Sequence, residues 1–114
     1  MIVSVEIRHG DSLVAEIIYE PGFLVDIRVE KPFRVKRIGY RVSHHQHERL
    51  SGSWLEALDK YFNEWIFESR SDLFPDEQPR TGSGREHKSL FLAAARALEK
   101  DLTPYGYKFK VLFE

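Results

Sequence analysis

Between Ile2 and Glu30 the chain alternates apolar and polar residues almost without a break, and the rhythm is interrupted only at Gly10-Asp11 and Pro21-Gly22. A two-residue period is that of a strand with one buried face, because successive Cβ atoms point to opposite sides. Val3, Val5 and Ile7 against Ser4, Glu6 and Arg8 predict a first strand. Leu13, Ala15, Ile17 and Tyr19 against Val14, Glu16, Ile18 and Glu20 predict a second, and Phe23, Val25, Ile27 and Val29 against Leu24, Asp26, Arg28 and Glu30 a third. Gly10-Asp11 suits a hairpin turn, and Pro21-Gly22 a type II turn in which Pro fixes φ and Gly takes the positive φ. Such a chain is expected to form an antiparallel meander with one wet, largely acidic face.

A fourth strand is expected from Phe33 to Val42, with a change of phase: Phe33 and Val35 are apolar at odd positions, Ile38, Tyr40 and Val42 at even ones. A β-bulge at Lys36-Arg37 would produce that shift. Ser51-Gly52-Ser53 is read as a loop, and Ser53 with Glu56 as a capping box opening a helix whose apolar residues, from Trp54 to Ile66, recur at helical spacing. Residues 69–84, with Pro75, Pro79, Gly82 and Gly84, fit no element and form a loop, functional or mobile, centred on about 70–84. A second helix is predicted over about Arg85–Leu102, with Phe91, Ala94, Leu98 and Leu102 on one stripe and Thr103-Pro104 as its stop. Tyr107, Phe109, Val111 and Phe113 then mark a last strand. The expected fold is one α+β domain over 1–114, ββββααβ: a four-stranded antiparallel meander, two helices packed on one face, and a C-terminal strand joining the sheet.

Composition narrows the function classes. With 114 residues, 42% of them hydrophobic, the chain is long enough to bury a core. Lack of cysteine rules out disulfides, thiolate metal sites and a cysteine nucleophile. No segment approaches the ~18 apolar residues of a membrane span and no leader pattern opens the chain, so a cytoplasmic protein without membrane contact is expected. The net charge of −1 argues against a general polyanion binder.

Charge is nonetheless segregated. Lys31, Arg34, Lys36, Arg37, Arg41 and Arg49 and three histidines meet a single carboxylate, Glu48, between residues 31 and 49. Arg34 and Lys36 share a phase with Asp26 and Glu30 and are accounted for by cross-strand pairing. Beyond the phase change, Arg37, Gly39, Arg41, Ser43, His45, His47 and Arg49 fall on odd positions, opposite Ile38, Tyr40 and Val42. The binding residues are therefore expected to be Arg37, Arg41, His45 and His47 around Gly39. His44, His45, His47 and Glu48 are also of metal-ligand type, but a catalytic zinc needs three converging ligands and nothing in the spacing brings a third.

Two other segments carry weaker signals. Gly82 to Ser89 approaches the spacing of a phosphate-binding loop, but His87 stands at the required second glycine and no strand precedes it. What survives is an anion-binding helix start at Gly84, Arg85 and Lys88. Tyr105-Gly106-Tyr107-Lys108-Phe109 shares a Gly, Tyr and Phe spacing with the aromatic strand of RNA-recognition modules, yet Lys108 and Lys110 stand where small and aliphatic residues belong. Tyr107, Phe109, Val111 and Phe113 are read as core, because they form one unbroken inward face.

No nucleophile elbow or paired-carboxylate motif is visible, and no cofactor is expected. The expected function is a small non-enzymatic module of the inhibitor, immunity, antitoxin or adaptor type that binds another protein through sheet and loop surfaces. One alternative is a nucleic-acid-binding or metal-free nuclease-like domain using the basic fourth strand, and another a histidine-based metal-binding protein. An outer apolar patch of Val14, Ile18, Leu24 and Leu112 is a candidate homodimer surface.

Overall fold

The computed structural model describes residues 2–21, 24–42, 49–65 and 88–114. The alternating segments form β1 (Val3–His9), β2 (Ser12–Tyr19) and β3 (Asp26–Val29), and the C-terminal segment forms β6 (Tyr107–Phe113). Together they make an antiparallel sheet of order β3-β2-β1-β6. The α+β class and the joining of the last strand are as expected: β6 lies along β1 in unbroken register from Val3 opposite Phe113 to His9 opposite Tyr107.

The fourth strand, however, does not continue the meander. β4 (Arg37–Arg41) leaves the sheet and pairs with β5 (Arg49–Ser53) as a separate two-stranded ribbon. Its phase change comes from a 3-10 turn over Lys31–Phe33, not from a bulge. Pro32 stands at the start of that turn, where its missing N–H is unneeded, and the turn seats Phe33 in the core while Val35 stays exposed. β5 occupies the stretch expected to be a loop.

A bulge does occur, but between β1 and β2. Ile7 pairs with Ala15 and Arg8 with Leu13, so Val14 is the extra residue. Its carbonyl accepts from Glu30 N–H at 2.9 Å and its side chain turns inward, fully buried. The expected outer patch thereby loses Val14 and keeps Ile18, Leu24 and Leu112.

Helices cover the inner face. Ser53 caps α1 (Trp54–Lys60), accepting from Glu56 N–H while its hydroxyl donates to the Glu56 carboxylate at 3.0 Å. The helix then widens into a π-turn over Tyr61–Trp65, in which Tyr61, Phe62 and Trp65 are all buried. α2 (Lys88–Leu102) buries Phe91, Ala94, Leu98 and Leu102, the predicted stripe, and with them Leu90 and Ala95. These side chains meet Val3, Val5, Ile7, Ile17 and Tyr19 in one apolar cluster, each large one contributing roughly 1.5–3 kcal/mol. A second 3-10 turn, Thr103–Tyr105, ends at Gly106, whose φ of 92° needs glycine and which turns the chain into β6. The expected loop at about 70–84 lies outside the described residues. No helix among the described residues is long and apolar enough to cross a membrane.

Candidate functional site

The β4-β5 ribbon is two-faced. Even-numbered Ile38, Val42 and Leu50 point into the core, and Tyr40 is half-buried beside them. Arg37, Gly39 and Arg41 on β4 and Arg49 and Ser51 on β5 therefore share the opposite, solvent-exposed face. Arg41 lies directly opposite Arg49, and Gly39 opposite Ser51. Sequence alternation thus placed Arg37, Arg41 and Arg49 in one phase around Gly39, although the expected binding residues included only Arg37 and Arg41 of the three. His45 and His47 lie outside the described residues, as do Gly84 and Arg85.

Gly39 has a specific use. The Arg49 guanidinium lies across it, Nη2 donating to the Gly39 carbonyl at 3.4 Å, and a Cβ at Gly39 would stand 3.0 Å from Nη2. A bare backbone at this position is what lets the guanidinium lie flat on the ribbon. Arg41, Arg49, Gly39 and Tyr105 line one depression. Among the described residues no carboxylate pairs with Arg37, Arg41 or Arg49, whereas Arg28 has Asp26 at 3.1 Å and Arg8 has Glu6 at 3.5 Å. A larger, more apolar depression runs along β3 beside Leu55, but its cations are engaged: Arg28 with Asp26 and Glu16, and Arg34 with the Val29 carbonyl at 3.0 Å.

Aromatic rings fasten this ribbon to the sheet. Trp54, at the start of α1, packs edge-on against Tyr107 of β6 at 5.2 Å, and Tyr40 does so at 6.0 Å. The Tyr40 and Tyr107 hydroxyls share a hydrogen bond of 3.1 Å. Burial, followed by that hydrogen bond and the Tyr40 charge, pushes the Tyr107 phenol well above its usual range. On the other side Tyr40 meets Tyr105 at 4.6 Å, and Tyr105, 56% exposed, presents its ring at the rim of the arginine pair. Tyr105 precedes the strand whose Tyr107, Phe109, Val111 and Phe113 are read from sequence as core; its turn position after α2 brings it outside, and Phe113, at the far end of that set, is itself 59% exposed.

Lys88, the described member of the expected anion site, opens α2 with its Nζ 5.5 Å from the centre of the Phe113 ring. Among the described residues no three His, Asp or Glu side chains gather as metal ligands. No protein-family model, curated protein or solved structure matches this chain. What the ribbon can do is therefore argued from its residues.

Proposed function

We propose that this protein is a small non-enzymatic binding module that captures a carboxylate-rich segment of another protein on the arginine face of the β4-β5 ribbon. The observation that carries this reading is Arg41 opposite Arg49 with no carboxylate paired to either among the described residues. Like charges directly opposite on a ribbon are destabilising. A bound carboxylate would turn that repulsion into charge-assisted, two-pronged hydrogen bonding, for which the guanidinium fork is shaped. Arginine and tyrosine are also the side chains most enriched among interface residues that dominate affinity, and Tyr105 stands beside the pair. With a net charge of −1 the chain offers no long-range pull on a polyanion, while a short acidic segment within about 8 Å feels the local field alone.

A second reading is favoured by the exposed Tyr105 ring: arginines beside a stacking platform also suit single-stranded nucleic acid. One titration separates the two. A labelled glutamate-rich peptide and a single-stranded oligonucleotide are titrated into the wild type and into the Arg41→Glu and Arg49→Glu variants at two salt concentrations. Peptide binding that each charge reversal abolishes supports the protein partner; oligonucleotide binding lost in the same way supports nucleic acid. Neither ligand binding, or binding indifferent to both reversals, removes the ribbon as the site.

A further inference from the structure

The two edges of the main sheet are finished differently. On β3, Glu30 N–H bonds Val14, so the even residues face β2 and the odd ones point outward. Three of those outward groups are covered: the Asn63 side chain bonds both backbone groups of Val25, and Arg34 bonds the Val29 carbonyl. On β6, Glu114 N–H donates to the Ile2 carbonyl at 3.0 Å, so there the even residues face β1. Phe109, Val111 and Phe113 therefore turn their N–H and C=O groups outward, and among the described residues no backbone or side-chain group bonds them. This edge is regular, without a bulge, and its inward side chains are incompletely covered: Phe109 and Val111 are partly exposed and Phe113 is 59% exposed.

We propose that β6 pairs antiparallel with β6 of a second copy of this chain, about a two-fold axis at Val111, to make one continuous sheet. Charge favours this register, since Lys110 already has Glu6 opposite it on β1 and Lys108 does not have a carboxylate there. Centred on Val111, Lys108 stands opposite Glu114 of the second copy, and Phe109 opposite its Phe113. Centred on Phe109 or Lys110, lysines would face lysines. Lys108 lies opposite Arg8 on β1, and neither it nor Glu114 has an ion pair among the described residues, so each lacks the counter-charge that the second copy supplies. The parity agrees as well. Val111, Phe109 and Phe113 become the hydrogen-bonded pairs, while Lys108 and Glu114 fall in a non-hydrogen-bonded pair, where side chains come closest. The same patch serves both copies, as a closed two-fold interface requires.

The test is sedimentation equilibrium of the full chain from low to high micromolar concentration, for the wild type, Lys108→Glu, Glu114→Lys and the double exchange. The wild type is expected to dimerise, each single reversal to weaken the dimer about tenfold, and the double exchange to restore it. Amide hydrogen exchange gives a second readout: Phe109, Val111 and Phe113 should slow as concentration rises, while Lys110 and Leu112, bonded to β1, should not change. A wild type that stays monomeric, a dimer insensitive to both reversals, or a double exchange no better than the singles overturns the proposal.

Discussion

The side-chain amide of Asn63 pairs with the backbone of Val25 as a neighbouring strand would, Oδ1 accepting from the Val25 N–H at 2.6 Å and Nδ2 donating to the Val25 carbonyl at 2.8 Å. Asp59, one helical turn earlier, accepts the other Nδ2 proton at 2.8 Å and fixes the amide in that orientation. The π-turn after α1 thus closes the end of β3 with a single residue.

Replacing Asn63 removes both bonds at once. Asn63→Ala is expected to lower stability by about 2 kcal/mol, read as a fall in the urea midpoint. Asn63→Asp should cost at least as much at neutral pH, since its carboxylate would confront both the Val25 carbonyl and Asp59. A midpoint unchanged by either substitution would contradict the strand-like role.

Tyr19 presents the reverse case. Its ring stacks on Phe91 at 5.3 Å, yet among the described residues its buried hydroxyl has no hydrogen-bond partner. Tyr19→Phe keeps the stack and deletes the unpartnered group, so stability should rise by about 1 kcal/mol. A loss of stability would show that the hydroxyl is bonded in solution.

Gly39→Ala probes the site separately from the fold. Gly39 is not among the glycines of positive φ, and what the new methyl meets is the flexible end of Arg49. Stability, read from urea unfolding, should change by less than about 0.5 kcal/mol, while affinity for an acidic peptide drops nearly as far as in Arg49→Ala. Undiminished affinity would mean that the flat seating of Arg49 is irrelevant to binding.

Three tyrosines couple folding to alkaline pH. Burial raises the Tyr19, Tyr61 and Tyr107 phenols above the ordinary 10.0, with the Asp101 charge adding at Tyr61. The unfolded chain then releases protons before the folded one does. Stability from these groups is whole below pH 10.0 and declines as pH climbs from there toward the raised folded values. Phenolate absorbance should accordingly report these rings only as the protein unfolds, and Tyr107→Phe should lessen the decline. Free titration of all tyrosines in folded protein near pH 10.0 would contradict this.

Alternation made β1, β2 and β6 legible because each carries an apolar residue at every second position of its inward face. It could not tell which strand β4 pairs with, since Ile38, Tyr40 and Val42 need a core beside them but do not specify a backbone neighbour. The bulge at Val14 went unread for a related reason: an apolar residue on an outer face is ordinary, and only the pairing with Ile7 and Arg8 shows that it turns inward. β5 was hidden by composition, because Arg49-Leu50-Ser51-Gly52-Ser53 has a single large apolar residue and resembles a loop. Half of the site was visible for the same reason as the strands: Arg37 and Arg41 share a phase. Arg49 shares that phase, but its place opposite Arg41 depends on the pairing of β4 with β5, and Tyr105 arrives by a turn; a local pattern records neither.

Attaching the ribbon by rings instead of a shared ladder separates what can change from what cannot. One residue added within β1 or β2, unless taken up by a bulge like that at Val14, would reverse every side chain beyond it, carrying Val5 or Ile17 into water. One residue added between β4 and β5 would shift no register in the main sheet, because Trp54, Tyr40 and Tyr107 grip the ribbon only by their side chains. The exposed face of the ribbon can thus be lengthened, recharged or replaced over generations, or by an engineer, on a scaffold that does not register the alteration.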